Sequence, residues 1–232
     1  MIKSFFSKIL QSKPDDSGKI DDPLVLYVRK LLTPKSINNC LKINLENITF
    51  TVIDTETTGL DKKKDKILSI AGVKIKKFRI VNIYNVFVDA GVPIPEESKK
   101  FHGIDDEHLK DKPKLVEIFP DFLKFLKDTV IVGHHIKFDV EMINVELEKN
   151  YGVKLPNYII DTGHLYNFLT NTEEKVSLDY LMKEFHVKCE DRHSALGDAI
   201  ATAEVFIKLI SKFGNKLSTL DDLYQNKLLK RI

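Results

Sequence analysis

The most restrictive feature of this chain is a change of period that recurs along it. β-rich runs give way to helical repeats in the order β-β-β-α-β-α-β-α-α-α. The run TFTVI over residues 49–53 reads as a short strand ending at Asp54. Residues 67–75 and 80–88 are strand candidates close enough to form a hairpin. Pro93 and Pro95 break that pattern. Leu115, Ile118, Phe119, Phe122, Leu123 and Leu126 then fall on one face of a helix over about 115–127. Residues 129–132 form a buried-strand pattern ahead of Gly133, a helix covers about 137–150, and residues 158–160 form a short strand ending at Asp161. Helices follow at about 162–170, 177–185 and 195–213. A hairpin start followed by β-α alternation implies an α/β fold, a mixed sheet with helices on its faces.

Charge divides the chain unequally. Residues 1–45 carry eight Lys/Arg and four Asp, a net of +4, and residues 46–232 carry 28 basic and 30 acidic side chains, a net of −2. The whole 232-residue chain is only +2, which argues against a protein that coats nucleic acid by charge alone. Residues 1–45 read as a basic helical extension with helices near 2–11 and 22–32, the second started by Asp21 or Asp22 as N-cap ahead of Pro23. Residues 46–215 read as the principal domain and 216–232 as a helical tail. The two cysteines, Cys40 and Cys189, have neither zinc-site nor disulfide-framework spacing, and a reduced, cytoplasmic setting is expected. No apolar run approaches the ~20 residues of a membrane span, so no membrane partner is expected.

Carboxylates gather at the expected strand ends. Asp54 and Glu56 stand two apart, which on extended backbone puts both on one face. Like charges that close repel unless a cation lies between them, and hard oxygen ligands suit Mg²⁺ or Mn²⁺. Alone, the pair also reads as an N-cap Asp plus an exposed Glu. Asp139 falls in the first turn of a helix, where the dipole favours it. His193 and Asp198 lie in a loop entering another helix, and alone read as an exposed His and a capping Asp.

In order, these elements resemble the DEDDh class of 3′–5′ exonucleases, the family of the bacterial replicative proofreading subunit, ribonuclease T and oligoribonuclease. DTETTGL over residues 54–60 looks like that family's first motif, FHGI over 101–104 like its short His-Gly-Ile element, GHHIKFD over 133–139 like its second, and RHSALGDA over 192–199 like its third. Asp161-Thr162 resembles the Asp-Thr that commonly follows the second motif. Asp161 itself reads as an N-cap. The resemblance covers about residues 48–213 and implies a ribonuclease H-like, mixed five-stranded sheet.

The resemblance also implies phosphodiester hydrolysis by two divalent ions, Mg²⁺ or Mn²⁺, ~3.5–4 Å apart. Asp54, Glu56 and Asp198 would hold the first. Asp54 would bridge to the second, supported by Asp139 directly or through water. His193 would be the general base, a task suited to an imidazole of ordinary pKa about 6.5. Thr57 and Thr58 would meet the terminal nucleotide, Leu60 would wedge against bases, and His102 and Phe138 would line the nucleotide pocket. His135 stands where the family usually has Asn and could alter the 3′-hydroxyl contact. The expected substrate is the 3′ end of a single strand, DNA ahead of RNA, with nucleoside monophosphates as products. The Lys62–Lys64 run could meet the phosphate backbone. The alternative within the same chemistry is an exoribonuclease. A non-catalytic binding module would be expected to lack one of the five core residues, and none is lacking. A polymerase or other replication or repair partner would dock through the N-terminal extension or the C-terminal tail.

Overall fold

A computed structural model of the protein describes residues 22–33, 42–214 and 216–231. The helix expected at 2–11 and the Cys40 thiol lie outside them. A five-stranded sheet has the order β3-β2-β1-β4-β5, with β1 Thr49–Thr57, β2 Ile67–Lys76, β3 Arg79–Phe87, β4 Val130–Gly133 and β5 Ile159–Asp161. The hairpin strands are antiparallel, while β1–β4 and β4–β5 are parallel, as alternating β-α connections demand. This is the mixed α/β architecture expected from the sequence.

Alternation along β1 divides the core. Phe50 and Val52 face one layer, built from α6 Thr162–Thr170, α7 Leu178–Glu184, α8 Ala195–Phe213 and α9 Leu220–Gln225, and Phe50 meets Phe206 edge-on at 5.0 Å between ring centres. Ile53 faces the other, built from α1 Pro23–Leu31, α4 Leu115–Leu126 and α5 Lys137–Tyr151. The short helices α2 Glu96–His102 and α3 Asp106–Leu109 follow the proline-broken stretch, and Leu109 joins Leu68, Ile94 and Ile104 in a small third cluster.

Strand β1 runs beyond the apolar run that announces it. Asp54, Thr55 and Glu56 continue the ladder opposite Ala71, Ile70 and Ser69 of β2, so pairing overrides their weak strand propensity. The two acids are therefore inside the strand, whereas the sequence suggests that it ends at Asp54. Helix α1 is capped by Asp22, whose carboxylate accepts from Leu24 N at 2.7 Å, with Pro23 following. Val28 is fully buried against the domain, and Arg29 Nε donates to the Tyr151 carbonyl at 2.9 Å. Asn44 bridges to Thr219, and Lys230 exchanges both backbone hydrogen bonds with Ile159 on the outer side of β5.

Candidate active site

The carboxyl end of β1 gathers side chains from both layers, in keeping with the tendency of α/β sheets to place ligands beyond their strand ends. Asp54 and Glu56 project toward α8, whose first turn supplies Asp198. One carboxylate oxygen from each of the three lies within 4.8 Å of the others. Asp139 arrives from α5, on the opposite layer. Its Oδ1 accepts from Thr55 N at 2.9 Å and Thr55 Oγ1 at 2.7 Å, which fixes it beside the trio.

These acids are expensive to ionise together. Burial raises the Asp54 carboxyl well above the usual range, and the charges of Asp139, Glu56 and Asp198 add to this. Burial, then Asp198 and Asp139, pushes Glu56 up to about 8. Asp139 rises to about 7 through burial, against the pull of its hydrogen bonds from Thr55. An all-oxygen donor set drawn together at one buried point suits a hard divalent metal.

His193 lies in the loop before α8, with φ +63°, a conformation in which His is enriched among non-glycine residues. Its backbone N–H reaches Asp198 Oδ1 at 3.4 Å, and its ring packs on Phe101 with 4.6 Å between centres. Ser194 caps α8 by accepting from Gly197 N at 3.0 Å. A Cβ on Gly197 would lie 1.9 Å from the Asp191 carbonyl oxygen, so only glycine lets the loop close on the helix that carries Asp198. Arg192 joins this loop to two acids. Its Nε donates to Asp179 Oδ1 at 2.8 Å, and its Nη1 forms an ion pair with Asp198 Oδ2.

The remaining expected residues divide into open and committed groups. Leu60 is 83% exposed. His102 is buried, its Nδ1 accepts from Ile104 N at 3.0 Å, and its Nε2 has no protein partner. Burial lowers the His102 pKa below the ordinary value, with a backbone contact to Thr57 opposing it. Phe138 packs partly into the α4–α5 core, and Thr57 Oγ1 donates to the Gly59 carbonyl at 2.7 Å. Thr58 is engaged on every polar atom: its N–H with Lys66 O, its carbonyl with Ser98 Oγ, and its hydroxyl with Asp65 and Lys66 N. These bonds brace the loop after β1. His135 is exposed at φ +55°, a left-handed backbone state in which Asn and His are both enriched. Beside it, half-buried His134 pairs through Nδ1 with Thr162 Oγ1 at 2.9 Å, and burial pushes its pKa down to about 4. Asp161 caps α6 through Gly163 N at 3.0 Å and also accepts from Ile136 N at 3.1 Å, which ties the second motif to β5. Lys62 is paired with Glu141, and Lys64 with Asp61.

Sequence reasoning does not single out Thr55, Phe101, Asp179 or Arg192 as site residues. Their partners lie far along the chain, and only the adjacency of Phe101 and Arg192 to motif histidines hints at them.

Fold, acidic cluster and ordered motifs define the class of the 3′–5′ exonucleases. The chain belongs to the exonuclease family, whose sequence pattern matches residues 51–206. It is 33% identical over 199 residues to the DNA polymerase III subunit epsilon of Aquifex aeolicus, covering 86% of this chain and 97% of that protein. It is 40% identical over 163 residues to the PolC-type DNA polymerase III of Caldanaerobacter subterraneus, covering 70% of this chain but only 12% of that much longer protein. Among solved structures, Exonuclease X in complex with 5′ overhanging duplex DNA superimposes with a TM-score of 0.58 at 26% identity, over 71% of this chain and 93% of that one.

Proposed function

We propose that this chain removes nucleotides one at a time from the 3′ end of single-stranded or frayed DNA, in a divalent-metal-dependent reaction of the proofreading or repair type. The observation that carries this reading is the meeting of Asp54, Glu56 and Asp198 at one point, with Asp139 beside them and His193 on the loop above. Asp54, Glu56 and Asp198 would hold one ion, and Asp54 with Asp139 a second, with Mg²⁺ or Mn²⁺ as the fitting metals. When bound, such ions offset the charge of the acids and of the scissile phosphate and acidify the attacking water.

The chain's own groups do the rest. His193 takes the proton of the attacking water, its ring steadied by Phe101. His102 and Phe138 line the pocket of the terminal nucleotide. Exposed Leu60 wedges against the bases, Thr57 shapes the turn beneath them, and His135 lies where the 3′-hydroxyl would be read. DNA is favoured over RNA because the relatives are named as DNA polymerase III proteins and the neighbour named above was solved with DNA. A replication or repair partner, docking through residues 1–45 or 216–232, accords with the same names.

The test is a side-by-side digest of 5′-labelled DNA and RNA oligomers with Mg²⁺ or Mn²⁺, repeated with EDTA. Stepwise shortening of DNA that EDTA abolishes is expected. Preferential loss of RNA would move the substrate to the exoribonuclease reading, and survival of both would overturn the activity.

A further inference from the structure

Among the described residues, Arg192 is the cation placed directly on a member of the acidic trio. Its guanidinium reaches in two directions. One contact, Nη1 to Asp198 Oδ2, lies within the site, where the Asp198 side chain is 13% exposed. The other, Nε to Asp179 Oδ1 at 2.8 Å, leads to a carboxylate that is 68% exposed at the start of α7. The Asp179 contact is a directed hydrogen bond. The Asp198 contact is a close ion pair made by a buried Nη1, and both contacts favour the charged guanidinium. The same positive charge partly offsets the repulsion felt by Asp54 and Glu56.

A divalent ion at the trio takes an Asp198 oxygen and brings its own positive charge. A guanidinium resting on Oδ2 occupies one of the two oxygens that Asp198 could offer and repels the incoming ion. The side chain has an alternative place to rest, because Asp179 anchors it from the surface side. We propose that Arg192 is an internal counter-ion that exchanges with the metal at Asp198, and that Asp179 is the acceptor that retains it once the metal has entered. Arg192 is then a positioning residue. It keeps the acids partly neutralised before loading and sets the metal affinity of the site. This rests on the metal-site reading above.

The exchange makes predictions of opposite sign for neighbouring residues. Mn²⁺ alone, without nucleic acid, is titrated calorimetrically into the full chain and its variants. Arg192→Gln removes the competitor and is expected to tighten Mn²⁺ binding by about tenfold. Asp179→Asn removes the surface acceptor, leaves Arg192 on Asp198, and is expected to weaken binding by about threefold. The double variant is expected to bind like Arg192→Gln, because Asp179 acts only through Arg192. Asp198→Asn serves as the control that removes the site. Weaker binding in Arg192→Gln would mean that the arginine only orients Asp198, and would overturn the exchange. So would an undiminished Asp179 effect in the double variant. Asp179 is exposed, so its variant keeps the test decisive should Arg192→Gln fail to fold. Unchanged or tighter binding in Asp179→Asn alone also overturns the exchange. Failure of the unmodified chain to bind Mn²⁺ would overturn the metal site itself, an outcome distinct from all of these.

Discussion

The two halves of the site are built on opposite principles. Asp54, Glu56 and Asp139 belong to a framework. β1 is the central strand of the sheet, paired on both sides, and Asp139 is pinned by two hydrogen bonds from Thr55. Arg192 and His193 belong to a loop whose conformation depends on a left-handed residue, a serine cap and a glycine close approach. The framework fixes charges where they repel. The loop carries the groups proposed above to move a proton and to exchange partners. The difference teaches that the acids are placed by sheet pairing, while Arg192 and His193 are placed by local loop geometry.

The comparison breaks most sharply at His193. His193→Ala is expected to lower kcat by roughly 10²–10⁴, the usual worth of a general base, with thermal stability and DNA binding in EDTA nearly unchanged. Single-turnover kinetics check this, and near-normal turnover would remove His193 from the chemistry.

Next comes pH, which reads the framework half. Glu56 has a folded pKa of about 8 against an ordinary 4.5, so the folded state holds a proton that the unfolded chain releases. Its contribution is fully present below pH 4.5 and is lost as pH rises through 8, a change of order 2–4 kcal/mol. His134, lowered to about 4 from 6.5, acts oppositely: its contribution is present above 6.5 and lost as pH falls through 4. Urea melts in EDTA are expected to show both arms. Added Mn²⁺ is expected to reverse only the alkaline one. If the alkaline arm survives the metal, the acids are not its ligands.

A smaller effect tests the loop's dependence on its glycine. Gly197→Ala forces a Cβ into the Asp191 carbonyl and is expected to cost about 1–3 kcal/mol, with kcat falling as His193 is displaced. The smallest test is Thr55→Val, which deletes one of the two donors to Asp139. A loss of about 1–2 kcal/mol in urea melts at pH 8 is expected, together with an alkaline shift in the activity profile. An unchanged pH profile would show that Thr55 does not tune Asp139.

Legibility in the sequence follows the same division. Helices α6 and α8 fall on the residues expected, because Asp161 and Ser194 are caps whose chemistry is local. The acids were also legible, since their two-residue spacing and motif order survive in one dimension. The length of β1 was not, because Asp54–Thr57 are held as strand by neighbours on β2 and not by their own propensity. Helices α2 and α3 were missed because their seven and four residues are too short to show a period. The Arg192–Asp179 and Thr55–Asp139 contacts join residues 13 and 84 positions apart, and no local pattern announces them.

The joint between Asn44 and Thr219 bears on how the chain matures during synthesis. It fastens the segment entering β1 to the start of α9, so the joint cannot close before Thr219 has left the ribosome. The acid trio has the same timing, because Asp198 follows Asp54 by 144 positions. A nascent chain that has completed only the hairpin and β4 therefore holds half a site: two acids in the strand, without their third partner and without His193. The order of translation thus withholds the complete acid trio until α8 has emerged.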